Sequence, residues 1–346
     1  AVGPYHARKH DFSGPIQDLG DQTVAPGLVN AHTHLELSHL HNRTRPGLGF
    51  LPWVQSLLQL PLKNIHQDTI HAVLAQMNQL GVVGIGDISG HNPLTMLGIH
   101  THGSMLFRLF VEFLGYTPND GAAWPLNACP QHSSLSAAGH ALYSTHPKTL
   151  QSVKSWTAKN LRPFSIHLAE HSGEFDLLTT GQGPFADFLR GSLLPASYRP
   201  PGLSPVAYAD SLGLLDQRTL AVHCVHLSSS DINTLLHRGV HVCLCPRSNA
   251  YIDCGRAPAE TLHAAGVPLC LGTDGLSSNQ DLNPWQEAIY LARRWEKNLS
   301  LTELTAMITI KPARALGLEH CVGTLQPGKV DVISRVPDEL QAALPI

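Results

Sequence analysis

An eight-stranded (β/α)8 barrel with a small β appendage is the architecture that this 346-residue sequence predicts. Three observations point to it. Eight apolar segments recur along the chain with helical or loop material between them. Several are continuous apolar runs, as strands buried on both faces of a parallel sheet require. The stretches between them are long enough for crossover helices. An open doubly wound sheet shares that alternation, but a count of eight favours closure. Barrels of about 250 residues commonly form one domain with additions. One barrel over 26–319 is therefore expected, with 1–25 and 320–346 forming the appendage.

In chain order, the apolar runs place strands at Gly27–Ala31, Val82–Ile88, Met105–Phe113, His140–Ser144, Phe164–Leu168, Thr219–His223, Val240–Cys245 and Val267–Gly272. Helical spacing fits Asp68–Leu80, Pro147–Asn160, Ser229–Arg238, Ala257–Ala265, Pro284–Lys297 and Leu301–Ile310. Two Pro- and Gly-rich stretches, Gly115–Ser134 and Gly181–Pro205, are too long for ordinary connections and read as active-site loops or lids. No internal repeat interrupts the series.

A 43% hydrophobic share is enough for a core of this size. The net charge of -3 comes with no basic cluster, which argues against nucleic acid and for a small-molecule partner. No segment approaches the ~20 apolar residues of a membrane span, and Ala1 to His10 lacks the order of a secretion signal, so a cytoplasmic enzyme is expected. Seven scattered cysteines read as reduced thiols rather than a disulfide framework. Cys243 and Cys245 share one strand face and could mimic a metal pair, but burial is the simpler reading because no second pair follows at zinc-finger spacing. Of the 22 histidines, most sit singly in polar or helical surroundings, where an ordinary surface or satisfied histidine suffices.

The clustered histidines are different. In Gly27-Leu-Val-Asn-Ala-His32-Thr-His34 an apolar strand runs into two histidines at i and i+2, so both imidazoles project from one face and can reach one ion at ~2.0–2.1 Å. His167 ends another strand, with Glu170 three residues on. His223 ends a third in Ala221-Val-His223-Cys-Val-His226, and Asp274 follows the eighth in Leu269-Cys-Leu-Gly-Thr-Asp274-Gly. Each fragment alone has a bland explanation, as a core histidine, a solvated glutamate or a capping aspartate. Four at the carboxyl ends of four strands coincide with the face on which barrel enzymes build their sites.

Together these motifs resemble the amidohydrolase superfamily, in its deaminase and chlorohydrolase branch. Cys245-Pro-Arg-Ser-Asn249, His140-Ala-Leu-Tyr-Ser144 and Asp274-Gly-Leu-Ser-Ser-Asn279 add to the likeness. The resemblance implies that His32, His34, His167 and Asp274 bind a single divalent ion, zinc ahead of iron, while Glu170 and His223 act on substrate and water. Binuclear members carry a bridging lysine after the fourth strand; here none occurs before Lys148, which favours one ion.

On that implied set, the ion lowers the pKa of a water toward ~7, and Asp274 is the first proton acceptor. His223 holds the nucleophile and stabilises the adduct oxygen. Glu170 protonates a ring nitrogen and then assists departing ammonia. For the pocket, Glu36 and Ser38 are candidates to bond a polar substrate edge, Trp53 to stack on a planar ring, and Arg247 to meet an anionic or carbonyl group. The expected reaction is hydrolytic deamination of an amino-substituted nitrogen heterocycle, and one subset of similar sequences resembles aminofutalosine deaminases. A chlorohydrolase or cyclic amide hydrolase on the same scaffold, and a non-catalytic metal-binding barrel, are the alternatives. A homodimer is a candidate assembly.

Overall fold

The computed structural model describes residues 13–118, 132–296 and 299–344, together with residues 6, 10 and 126. Its strands are β1 (Val24–Pro26), β2 (Leu28–Thr33), β3 (Val82–Ser89), β4 (Leu106–Phe113), β5 (Leu135–Ala141), β6 (Phe164–Leu168), β7 (Thr219–His223), β8 (His241–Leu244), β9 (Leu269–Leu271) and β10 (Ile333–Arg335). β2 to β9 form one parallel sheet in sequence order, with helices in the connections, giving the (β/α)8 barrel. Every residue of β2, β3, β6, β7 and β9 is buried, which is why these strands read as largely apolar runs.

The barrel closes between β2 and the chain leaving β9. The Thr273 and Asp274 amides donate to His32 O at 3.1 Å, and the Asn30 side chain exchanges bonds with Thr273, 2.7 Å from Nδ2 to Oγ1 and 3.1 Å from the Thr273 amide to Oδ1. This approach requires glycine at 272, where a Cβ would stand 2.8 Å from both Cys243 Sγ and His32 Cβ.

The fourth barrel strand corrects the expectation of His140–Ser144. It runs over Leu135–Ala141, and the chain then turns, with the Gly115 amide bonded to Ser144 O at 2.8 Å. Its small residues hide it from a search for bulky apolar runs, yet they have a purpose. A Cβ at Gly139 would collide with Leu150 on the helix Pro147–Lys159, so the small strand lets that helix pack close.

The expected helix Leu301–Ile310 is two, Leu301–Ala306 and Ile310–Leu316. Pro312 cannot donate to Ile308, so the chain breaks at Thr309 (φ -133°, ψ -92°) and places the proline in a new first turn. The helix from Pro284 ends at Ala292, short of Lys297. Gly181–Pro205 is not one long loop, because Pro184–Arg190 is helical and buries Phe185, Ala186 and Leu189. Most of Gly115–Ser134 lies outside the described residues.

β1 and β10 pair antiparallel, Val24 opposite Arg335 and Pro26 opposite Ile333, and a helix follows at Asp338–Ala343. Ser334 ties this two-stranded sheet to the barrel. Its Oγ accepts from Trp285 Nε1 at 3.0 Å and donates to Leu80 O at 3.1 Å. Cys243 and Cys245 are buried thiols, and Cys129 lies outside the described residues. Among the described residues no helix is long and apolar enough to cross a membrane.

Candidate active site and metal centre

Four left-handed residues that are not glycine gather where strands β6, β7 and β9 meet their loops: Ala169 (φ 53°), His223 (φ 73°), Cys224 (φ 50°) and Asp274 (φ 58°). Such backbone costs about 1–3 kcal/mol per residue and persists where the surroundings over-determine it. Here it turns side chains inward at the carboxyl ends of the strands.

At that mouth, His34 Nε2 lies 3.2 Å from His32 Nε2, and His167 Nε2 lies 3.3 Å from the same atom. Asp274 Oδ1 stands 3.6 Å from His32 Nε2 and 3.5 Å from His34 Nε2. Ligand atoms at ~2.05 Å from a tetrahedral zinc are about 3.3 Å apart, so these residues fit one such ion. The alternative of protonated rings is closed to two of the three. Burial drives His34 down to about 3 and His167 well below the ordinary imidazole value, with neighbouring rings adding to both. Lone pairs facing one another at these distances call for a shared cation.

Neighbouring groups orient this set. His167 Nδ1 donates to His140 O at 3.0 Å, which leaves the lone pair on Nε2. Asp87 Oδ1 accepts from the Leu35 amide at 2.9 Å, fixing the residue after His34, while its Oδ2 meets His100 Nε2 at 2.7 Å. Ser248 and Ser278 each donate to Asp274 Oδ2 at 2.7 Å, leaving Oδ1 to the imidazoles. Burial works against the charged form of Asp274, but the surrounding imidazoles of His32, His34 and His223 hold it well below the usual carboxylate range.

Glu170 and His223 face each other across the same mouth, Oε1 to Nε2 at 3.6 Å. Burial first, then the neighbouring carboxyls of Asp274 and Glu174, raise Glu170 well above the usual carboxylate range, which favours its acid form. Burial lowers His223 to about 4. Its Nδ1 donates to Asn249 Oδ1 at 2.9 Å, so the neutral ring presents a lone pair at Nε2. That tautomer makes His223 an acceptor for a water O–H rather than a donor to an oxyanion.

The four pocket candidates fare differently. Both oxygens of Glu36 are occupied: Oε1 by the amides of Gly90 and His91, Oε2 by Ser89 Oγ and the Asn92 amide. It fastens the loop after β3. The guanidinium of Arg247 forks onto Asp281 at 2.6 and 3.0 Å, and its amide bonds to Glu287. Trp53 donates to Ser277 O at 3.1 Å and lies in an aromatic cluster with Phe50, Tyr143 and Phe185. Ser38 is buried with no partner for its Oγ among the described residues.

Sequence reasoning passed over Glu112 on β4, whose Oε1 lies 3.9 Å from His167 Nδ1 and has no hydrogen-bond partner among the described residues. With His140 and His167 it forms a second group of donor atoms beside the first. Nothing in its local sequence sets it apart. Ser248, Asn249 and Ser278, in contrast, fall within motifs already singled out.

Known proteins are similar to this chain over most of its length. A model of the amidohydrolase family matches residues 135–331. The chain is 29% identical over 311 residues to the aminodeoxyfutalosine deaminase of Deinococcus radiodurans, covering 84% of this chain and 72% of that protein. It is 30% identical over 333 residues to the 5-methylthioadenosine/S-adenosylhomocysteine deaminase of Moorella thermoacetica, covering 91% and 73%. Among solved structures, an adenosine deaminase from Xanthomonas campestris with bound zinc superposes with a TM-score of 0.73 at 26% identity, over 90% of this chain and 72% of that one. Helicobacter pylori aminofutalosine deaminase, in complex with methylthio-coformycin, shares the fold at a TM-score of 0.82 and 24% identity, over 99% and 87%.

Proposed function

The chain belongs to the amidohydrolase family, and on that footing we propose that His32, His34, His167 and Asp274 hold one zinc ion beside which an adenine-type nucleoside is hydrolytically deaminated. It is a hydrolase of C–N bonds, as its deaminase relatives are. One observation carries the residue assignment: Glu170 Oε1 sits 3.6 Å from His223 Nε2 at the point where three imidazole nitrogens and a carboxylate converge. The zinc in the Xanthomonas relative supports that metal over iron.

The bound ion supplies Lewis acidity that brings the pKa of a water to about 7. Asp274 Oδ1 takes one water proton, while the Nε2 lone pair of His223 orients the remaining O–H. Glu170 gives its proton to a ring nitrogen, which makes the amino-bearing carbon electrophilic. The attacking oxygen forms a C–O bond there. The proton on Asp274 then passes to the amino group, the adduct hydroxyl returns a proton to Glu170, and the C–N bond breaks to release ammonia and leave a carbonyl. The two protons of the water are accounted for: one leaves in ammonia and one restores Glu170.

Ammonia release from methylthioadenosine, 5′-deoxyadenosine, adenosine and a pterin tests this reading, with chloride release from a chlorotriazine as the competing outcome. Glu170→Gln is expected to bind zinc normally and lose about 10²–10⁴ in kcat. Turnover of the chlorotriazine alone, or an unimpaired Glu170→Gln enzyme, would remove the proposal.

A further inference from the structure

We infer that Glu174 is a positioning residue that holds the Ala169–Glu170 turn and so aims the proton-donating carboxyl; this rests on the role proposed for Glu170. Glu174 lies in the first turn of the helix Ser172–Thr179, three residues after the N-cap His171. Elsewhere the chain shows what a carboxylate at that position does when it only caps a helix. In Ser229–Arg238 and Leu301–Ala306 the N-cap is a serine, and the acid three residues on, Asp231 or Glu303, reaches back to the N-cap amide.

Glu174 does something else. It bypasses the His171 amide, and its Oε2 accepts from the Glu170 amide at 3.0 Å, with the backbone of Ala169 also within its reach. The N-cap duty passes to the His171 ring, whose Nδ1 accepts from the Glu174 amide at 3.3 Å.

The opposite side of the turn is held by the loop after β7. Ala169 O accepts from the Val225 and His226 amides at 2.9 Å, and Leu168 O from Cys224 at 3.0 Å. Carbonyls are thus fixed from one side and amides from the other, around a residue at positive φ. Glu174 is fully buried, and its Oε1 has no partner among the described residues. A cap alone does not require a buried, half-satisfied carboxyl; serine or aspartate at the surface would serve. The cost is explained if the reach to Glu170 is what matters.

The test compares Glu174→Ala, Glu174→Asp and Glu174→Gln in the zinc-loaded enzyme, with methylthioadenosine as substrate and Glu170→Gln alongside. Glutamine retains an oxygen able to accept the Glu170 amide, whereas alanine and the shorter aspartate do not. Alanine is expected to lower kcat about 10²-fold with KM and zinc content little changed, and glutamine to restore most of the loss. Aspartate serves if the alanine form does not fold. Exchange of the Glu170 amide, read by mass spectrometry on the peptide around residues 166–172, is expected to accelerate in the alanine and aspartate forms only. This second readout needs no substrate.

Wild-type kcat in Glu174→Ala well below its melting temperature, equal impairment by alanine and glutamine, or unchanged exchange would each overturn the inference. An active Glu170→Gln enzyme sinks the reading of Glu170 itself. An inactive one beside an active Glu174→Ala sinks only the part given to Glu174.

Discussion

Ser248 and Ser278 spend their hydroxyls on one oxygen of Asp274, and the geometry of the other oxygen depends on them. Ser248→Ala is expected to weaken zinc binding about tenfold, measured by competition with a chromophoric chelator; unchanged affinity would mean that Asp274 is oriented by other means. Glu36 gives a contrasting case. With four donors on its buried carboxylate, Glu36→Gln should cost roughly 1–3 kcal/mol in a urea titration, while KM moves little. A large KM change at unchanged stability would return it to the substrate pocket. The sequence shows the histidines and Asp274 because strand endings put chemistry and apolar runs side by side. It does not show that Glu36 is satisfied, since its partners lie more than fifty residues away. Nor does it show that Arg247 is occupied, since Asp281 meets it only once the loop after β9 has folded back.

At the scale of elements, long buried strands were legible and light ones were not. β6 and β7 stand where their apolar runs put them, whereas β5, built from small residues, was displaced by five positions at its start because packing room rather than side-chain bulk defines it. The helices that escaped notice, such as Pro246–Ile252 and Pro205–Ser211, are too short to display a period, although each begins with a proline at its first helical position. Ser334 joins the terminal sheet to the barrel by two hydrogen bonds, beside the burial of Ala25, Val336 and Leu340 in the core. Ser334→Ala strands the buried Trp285 Nε1–H and should cost about 1–3 kcal/mol, seen as a lower urea midpoint with kcat unaltered. A neutral substitution would show that the sheet is held by its backbone ladder and by the core packing of Ala25, Val336 and Leu340.

For the whole molecule, burial raises three carboxyls, Glu112, Glu174 and Glu287, to about 8 each. In the unfolded chain they ionise near 4.5, so between these values the folded state holds more protons and stability falls as pH rises. Below pH 6.5 the buried histidines, with folded values lowered to about 3 for His34 and about 4 for His140 and His223, act in the opposite sense. The clean window is therefore pH 6.5 to 8. Glu170, which burial also raises, adds to the same trend. At saturating zinc, the free energy of unfolding is expected to decline across this window; a flat or rising profile would mean that these carboxyls are ionised in the folded protein. The seam between Asn30 and Thr273 has a wider consequence, because it lies two residues before His32 and one before Asp274. Any breathing motion that parts the staves there pulls the first and last contributors to the metal cradle away from each other. An ion seated between them acts as a clasp, and stripping it with a chelator should loosen the hoop first along that line, a direction for circularly permuted designs to avoid when choosing new ends.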